Sequence, residues 1–88
     1  MNTSTDERIE TGRLARLLAL NLDPEPREAL EQHYGMVWNT QELKRDFTVI
    51  RFCAPFVVVR RRSDQVRGSL EFQHEPRFFF NWIEGPLE

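Results

Sequence analysis

The segment 47–62 constrains the fold most strongly, because it concentrates strand-forming residues and then ends in three arginines. Nine of its first thirteen residues are β-branched or aromatic, and such side chains fit a pleated, half-buried surface. Pro55 lacks a backbone N–H, so we expect the run to break there into two strands, Thr48–Cys53 and Phe56–Arg61. The unbroken apolar sequence 56–59 is typical of a strand that is covered on both faces.

Two shorter strands are predicted after this run. The polar stretch 63–68 has the composition of a hairpin turn. Leu70 and Phe72 then alternate with polar residues, which predicts a strand with one face in water. The same alternation in the last strand, 77–83, predicts one face with Phe78, Phe80 and Trp82 and an opposite face with Phe79, Asn81 and Ile83.

The first half of the chain carries helix signals. We interpret residues 1–4 as a disordered tail, followed by a capping box at 4–7 that begins an amphipathic helix. Asp23-Pro24 predicts the start of a second helix, and Gly35 its end. A further capping box at 39–42 predicts a short helical turn.

These patterns predict a single α+β domain over residues 1–88. The helical segment 5–35 would precede a short helix and an antiparallel sheet within 36–84. We expect two N-terminal helices and one short helical turn to pack on a three- to four-stranded antiparallel meander. A chain of 88 residues has no room for a second core.

Charge is distributed unevenly along the chain. The net charge is −2, so no global field drives the protein onto nucleic acid or an anionic membrane. Residues 1–46 nevertheless contain nine acidic and six basic side chains, whereas residues 51–67 contain five arginines against Asp64 alone. This local basic stripe is the one electrostatic asymmetry of the sequence.

Several classes of chemistry lack the residues they need. Cys53 is the only cysteine, and His33 and His74 lie far apart in the sequence, so we predict no metal site. Glycine-rich phosphate loops are absent, and we predict no cofactor. A reactive Cys53–His74 pair is the third alternative for function, but Cys53 lies in an apolar run that disfavours a thiolate. We predict that the protein is not an enzyme.

The first residues of the chain and its hydropathy bear on its location in the cell. The first residues are polar and lack the basic and apolar regions of a secretory signal. No apolar stretch approaches the ~18 residues that a bilayer span requires. We therefore expect a cytoplasmic protein without a membrane partner.

Part of the sequence resembles a family of small bacterial proteins of unknown function. The resemblance covers roughly residues 34–83 and is carried by Thr40-x-Glu-Leu-x-x-Asp-Phe47, Ala54-Pro-Phe-Val-Val-Val-Arg-Arg61, Gly68-Ser-Leu-Glu-Phe-Gln-His74 and Pro76-Arg-Phe-Phe-Phe80. It implies a compact bacterial domain. It implies no activity, cofactor or catalytic residue.

The aromatic content of the last strand is the basis of the functional hypothesis. Because two thin helices would cover only one face of a sheet, we predict that the other face docks a second copy or another protein. The alternative is that the helices bury both faces. The favoured role is a non-catalytic interaction or accessory module, as a homodimer, with an interface formed either by Phe78, Phe80 and Trp82 or by Phe79 and Ile83.

The arginines provide the alternative hypothesis, a nucleic-acid-binding module. Guanidinium groups beside exposed rings can hold a phosphate backbone and stack bases. The competing interpretation is that the arginines pair with Asp64, Glu71 and Glu75 across the strands. The candidate contacts to an anion or nucleic acid are Arg60, Arg61, Arg62, Arg67 and Arg77.

The first helix leaves two possibilities open. Its apolar residues at helical spacing are what helix-in-groove recognition needs, so it could dock into a partner. The same pattern also suits a lid over the sheet.

Overall fold

The computed structural model describes residues 14–86. Residues 14–22 are helical (α1), followed by α2 (Arg27–Tyr34), β1 (Val37–Trp38), α3 (Thr40–Asp46), β2 (Phe47–Cys53), β3 (Phe56–Arg61), β4 (Arg67–Gln73) and β5 (Phe78–Glu84). The predicted α+β class with an antiparallel sheet is confirmed. The described sheet has five strands, whereas three to four were predicted.

α2 confirms one predicted boundary and corrects the other. Gly35 ends the helix with φ +81°, and its N–H donates to the carbonyl oxygen of Glu31 at 2.9 Å. The start lies at Arg27 instead of Asp23, and the N-cap residue is Pro26, which provides no side-chain cap. The physical reason is the second proline, because the residue before a proline is disfavoured in the helical region.

α3 begins as the sequence predicts. The Asn39 side chain accepts from the Glu42 backbone N–H at 2.8 Å, and the Glu42 carboxylate accepts from the Asn39 N–H at 2.9 Å. This reciprocal pair is the capping box. The other predicted capping box, at residues 4–7, lies outside the described residues.

The strands pair in the order β1-β5-β4-β3-β2, and every neighbouring pair is antiparallel. The predicted break at Pro55 is confirmed, since β2 ends at Cys53 and β3 begins at Phe56. The additional strand is β1. Its two residues pair with Phe79 and Phe80, and two residues are too few to show a strand pattern.

An irregularity in β5 overturns the predicted division of its side chains between faces. The β4–β5 register shifts between Ser69 and Glu71, and Asn81 has φ +60°, a conformation that asparagine tolerates better than most residues. The bulge breaks the alternation of the strand. Trp82 consequently lies on the same face as Phe79, opposite Phe78 and Phe80.

The sheet is strongly curved. In a flat five-stranded sheet the edge strands β1 and β2 would lie about 19 Å apart. The ring centroids of Trp38 in β1 and Phe47 in β2 are nevertheless 5.1 Å apart. Curvature brings the edges together around an inner face, which we define by its buried residues Trp38, Leu43, Phe47, Val57, Val59, Leu70, Phe72 and Phe79.

The opposite side of the sheet, the outer face, is covered by helices over β4 and β5. Leu20 of α1 and Leu30 of α2 are buried with Val37 and Phe80, and the Tyr34 ring packs 4.8 Å from Phe80. The two N-terminal helices thus cover one face, as the sequence predicts, and the curvature of the sheet together with Leu43 of α3 closes the other. In its described part α1 is a lid over the sheet.

The prediction that one face of β4 lies in water is wrong, because Ser69, Glu71 and Gln73 are buried. Arg16 of α1 and Glu25 in the segment before α2 provide partners for Glu71 and Gln73. The Glu71 carboxylate accepts from Arg16 Nε at 2.5 Å and from Arg16 Nη2 at 3.1 Å. Gln73 bonds the backbone of Glu25 in both directions.

Candidate ligand-binding cleft

A cleft of about 730 Å³ opens beside the hairpin that joins β3 to β4. Trp38, Phe47 and Trp82, from three different strands, form an aromatic wall on one part of it. Its other lining residues are Tyr34, Met36, Arg45, Asp46, Arg61, Arg62, Ser63 and Asn81. The cleft thus combines an aromatic wall with three arginines.

The aromatic wall is held by edge and tilted ring contacts. The Trp38 ring meets Phe47 edge-on at 5.1 Å, and Phe47 lies 5.3 Å from Trp82. Gly68 makes room for the indole, because a Cβ at that position would overlap the Trp82 ring and the Ile83 carbonyl oxygen. Phe47 and Trp38 are buried, whereas Trp82 is only half-buried and presents part of its ring to the cleft.

Arg61 lies over the Trp82 ring, with its guanidinium carbon 5.1 Å from the ring centroid. Its Nε and Nη2 atoms donate to the two carboxylate oxygens of Asp64 at 3.0 and 2.6 Å. This two-bonded pair raises the pKa of Arg61 and, together with the Val66 N–H, lowers the pKa of Asp64. The charge of Arg61 is therefore partly neutralised within the chain.

Arg45 is paired in a similar way. Its Nε donates to Asp46 at 2.9 Å, and the other carboxylate oxygen of Asp46 accepts from Trp38 Nε1 at 3.0 Å. Both contacts lower the pKa of Asp46, the Arg45 contact more strongly. Asp46 therefore orients the Trp38 indole and offsets one arginine of the cleft.

Arg62 differs from its two neighbours in the cleft. Its Nε donates to the backbone carbonyl of Phe47 at 3.2 Å, which fixes the side chain against the start of β2. Among residues 14–86 no carboxylate lies within ion-pair distance of it. Arg62 thus brings an uncompensated positive charge to the cleft.

The five predicted arginines separate into three places. Arg61 and Arg62 line the cleft. Arg60 and Arg67 are directly opposite each other on the outer face. Arg77 lies at the far end of β4, about 20 Å away along the strand, where it covers the Phe72 ring and contacts His74 Nδ1 at 2.9 Å. Arg77 therefore does not join the other four.

The predicted aromatic interface is largely unavailable. Phe79 and Phe80 are 1% and 0% exposed, so they cannot form the contact that we predicted for them. Phe78 and Trp82 are half-buried, and Ile83 alone is well exposed. The physical reason is that the curved sheet covers Phe79 and the helices cover Phe80.

Of the lining residues, only Arg61, Arg62 and Trp82 were predicted as site residues, and those that were missed include Trp38, Arg45 and Asp46. Each stands within a few residues of the α3 capping box, and none belongs to a periodic pattern. Their proximity to the hairpin depends on the curvature of the sheet. The one available signal was composition, because Trp38 and Trp82 are the only tryptophans of the chain.

The described residues offer little else that suggests chemistry. Cys53 is half-buried, and within residues 14–86 no hydrogen bond joins it to His74. In the same range no three His, Cys, Asp or Glu side chains gather closely enough to hold a metal ion. Every helix in the described part is too short or too polar to cross a lipid bilayer.

Comparison with known proteins adds no constraint. No protein-family model, curated protein or solved structure matches this chain. The resemblance to a bacterial family stays a prediction.

Proposed function

We propose that the protein is a non-catalytic binding module and that the cleft holds an anionic ligand that carries a flat ring. The observation that supports the proposal most strongly is the position of Arg62 and Trp82 in one cavity. Arg62 has no carboxylate partner among residues 14–86, and it lines the same cleft as the partly exposed Trp82 indole.

The chemistry of the two groups fits such a ligand. Guanidinium groups form strong, charge-assisted hydrogen bonds with phosphate or carboxylate oxygens. An indole face stacks on planar ligands and tolerates many of them, because every aromatic ring presents a π-face. The described cleft contains no nucleophile activated by a neighbouring base, which favours binding over catalysis.

The two tryptophans make the proposal directly testable, because both line the cleft. Titration with thymidine 5′-monophosphate at low salt should change tryptophan emission in a saturable way. Thymidine without the phosphate, and phosphate without the base, should each bind more weakly. Arg62→Gln should weaken binding of the nucleotide about tenfold, since a hydrogen bond to a charged group contributes about 1.5–3 kcal/mol.

The matched control for this titration is Arg77→Gln, which removes the same charge at the far end of β4. It should leave the emission change and its midpoint unaltered. The proposal fails if neither the nucleotide nor phosphate perturbs the tryptophans, or if the two variants are equally impaired.

We propose, second, that the protein self-associates. The contact surface would lie on α1 and not on β5, where the sequence predicted it. Leu14, Leu18 and Leu22 are 48%, 59% and 81% exposed and recur every four residues. They lie on the side of α1 opposite Arg16 and Leu20, which face the sheet. A stripe of this kind on a helix is a candidate contact for a second copy.

Sedimentation at several protein concentrations tests this second proposal. We expect the average mass to rise with concentration, and Leu18→Glu should suppress the rise. Ile83→Glu, a matched change at an exposed residue of β5, should not. A monomer at every concentration contradicts self-association and leaves the cleft proposal untouched.

A further inference from the structure

Three arginines form a row on the outer face, next to the cleft. Arg60 of β3 lies directly opposite Arg67 of β4 and opposite Thr48 of β2. Arg51 of β2 lies opposite Val58, two residues from Arg60, and therefore points to the same side. All three side chains are exposed. We call Arg51, Arg60 and Arg67 the outer arginine row.

The row is electrostatically unfavourable in the isolated chain. Directly opposite side chains in an antiparallel pair have Cβ atoms about 5 Å apart, and like charges there are destabilising. No ion pair joins any of the three arginines to a carboxylate among residues 14–86. Arg61, one residue away, has Asp64 as a partner. An anion on the outer face would relieve the repulsion.

The row and the cleft meet at the β3–β4 hairpin. Arg60, Arg61 and Arg62 are consecutive, and the alternation of β3 places Arg60 on the outer face and Arg61 on the inner one. An extended polyanion that enters the cleft can therefore pass around the end of the hairpin and reach the row without leaving a basic surface.

We infer that the cleft and the outer arginine row together bind single-stranded nucleic acid. This inference deepens the proposed function and depends on it. A base stacks on the part of the Trp82 ring that Arg61 leaves open to the cleft, Arg62 holds the adjoining phosphate, and the next phosphates cross the hairpin to Arg60, Arg67 and Arg51.

Single-stranded nucleic acid fits this arrangement better than the other polyanions. Its repeated phosphate charges suit the outer arginine row, and its flat bases suit the aromatic wall of the cleft. An acidic peptide supplies charges but leaves the indole without a stacking partner. A membrane surface presents its charges in one plane, whereas these arginines lie on two faces of the sheet. A duplex hides its bases from an aromatic wall of this kind.

The experiment compares thymidine 5′-monophosphate with an oligothymidylate of about eight nucleotides, a length within the range that small single-strand-binding domains occupy. Fluorescence anisotropy of labelled oligomer and tryptophan emission provide independent readouts. The oligomer should bind at least tenfold more tightly than the mononucleotide. The variant Arg60→Gln/Arg67→Gln should lose about tenfold in affinity for the oligomer and nothing for the mononucleotide.

Salt dependence supplies a second measurement on the same proteins. Each phosphate neutralised on a single strand contributes a slope of about −0.7 to the plot of log affinity against log salt. Removal of two arginines should therefore make the slope shallower by about 1.4. Arg51→Gln should reduce it by about half as much. Arg77→Gln is the matched control and should preserve both affinity and slope.

The outcomes separate the two proposals. If the mononucleotide binds but the oligomer binds no more tightly, or if the row variant behaves like Arg77→Gln, the inference is wrong and the cleft proposal stands. If hexaglutamate competes as well as the oligomer, the partner is an acidic peptide and the inference is wrong. If neither nucleotide binds, both proposals fail.

Discussion

The outer face of the sheet carries two rows of polar side chains, and they differ in whether the described part of the chain provides partners for them. The first consists of Ser69, Glu71 and Gln73 on β4, and the second is the outer arginine row. The first is buried, and its charged member receives two hydrogen bonds from Arg16 and one from Asn81. The second is exposed and has no carboxylate partner among the described residues.

The difference indicates separate roles for the two rows. A buried polar group that is fully satisfied specifies one arrangement of the elements around it, and its loss is costly. Arg16 ties α1 to β4 in this way and also donates to the Tyr34 hydroxyl of α2 at 2.8 Å. An exposed row of like charges gives the isolated chain no such benefit. We therefore expect changes in the first row to affect stability and changes in the second to affect binding.

The largest expected effect is the loss of the apolar packing beside Glu71, at Phe80 of the neighbouring strand. Phe80 is fully buried against Leu20 of α1 and Leu30 of α2, so Phe80→Ala should destabilise the protein by about 3–5 kcal/mol. Urea denaturation followed by circular dichroism measures the loss. Ile83→Ala, an exposed position in the same strand, should stay within about 0.5 kcal/mol of the parent protein. Equal losses for both variants would contradict the burial of β5.

A smaller effect is expected when the charged member of the first row is removed. Glu71→Ala leaves Arg16 and Asn81 without their shared acceptor. Breaking a fully buried pair costs about 3–5 kcal/mol, and because Arg16 is partly exposed we expect about 2 kcal/mol.

The same variant tests whether the two rows are independent. Glu71→Ala should retain its oligonucleotide affinity under conditions where it is folded, because Glu71 does not line the cleft. Glu75→Ala, an exposed carboxylate beyond the end of β4, is the control for charge alone. A loss of affinity in Glu71→Ala but not in Glu75→Ala would show that the two rows are coupled, and the assignment of stability to one and binding to the other would be wrong.

Local patterns predicted the parts of the fold that depend on neighbouring residues. The capping box at Asn39, the helix end at Gly35 and the strand Phe56–Arg61 each follow from a few adjacent side chains. The bulge at Asn81 could not be predicted, because it depends on how β5 pairs with β4. It alone moved Trp82 from the predicted face to the cleft.

The candidate site was predicted only in pieces for the same reason. Arg61, Arg62 and Trp82 were identified from composition and alternation, but as members of two rival sites. They lie in one cleft with Trp38 because the sheet curves and brings β1 close to β2. The sequence of a single strand does not indicate this curvature. The burial of Glu71 depends on Arg16, 55 residues earlier in the chain, and alternation alone describes such a position as wet.

The most direct test measures stability and affinity on one protein, Arg60→Gln/Arg67→Gln. Its urea midpoint and its affinity for the eight-nucleotide oligothymidylate should be determined side by side with those of the parent. We expect an unchanged or slightly higher midpoint, because a like-charge repulsion is removed, together with about a tenfold loss of affinity. A lower midpoint with undiminished affinity would contradict the account, since the outer arginine row would then be structural.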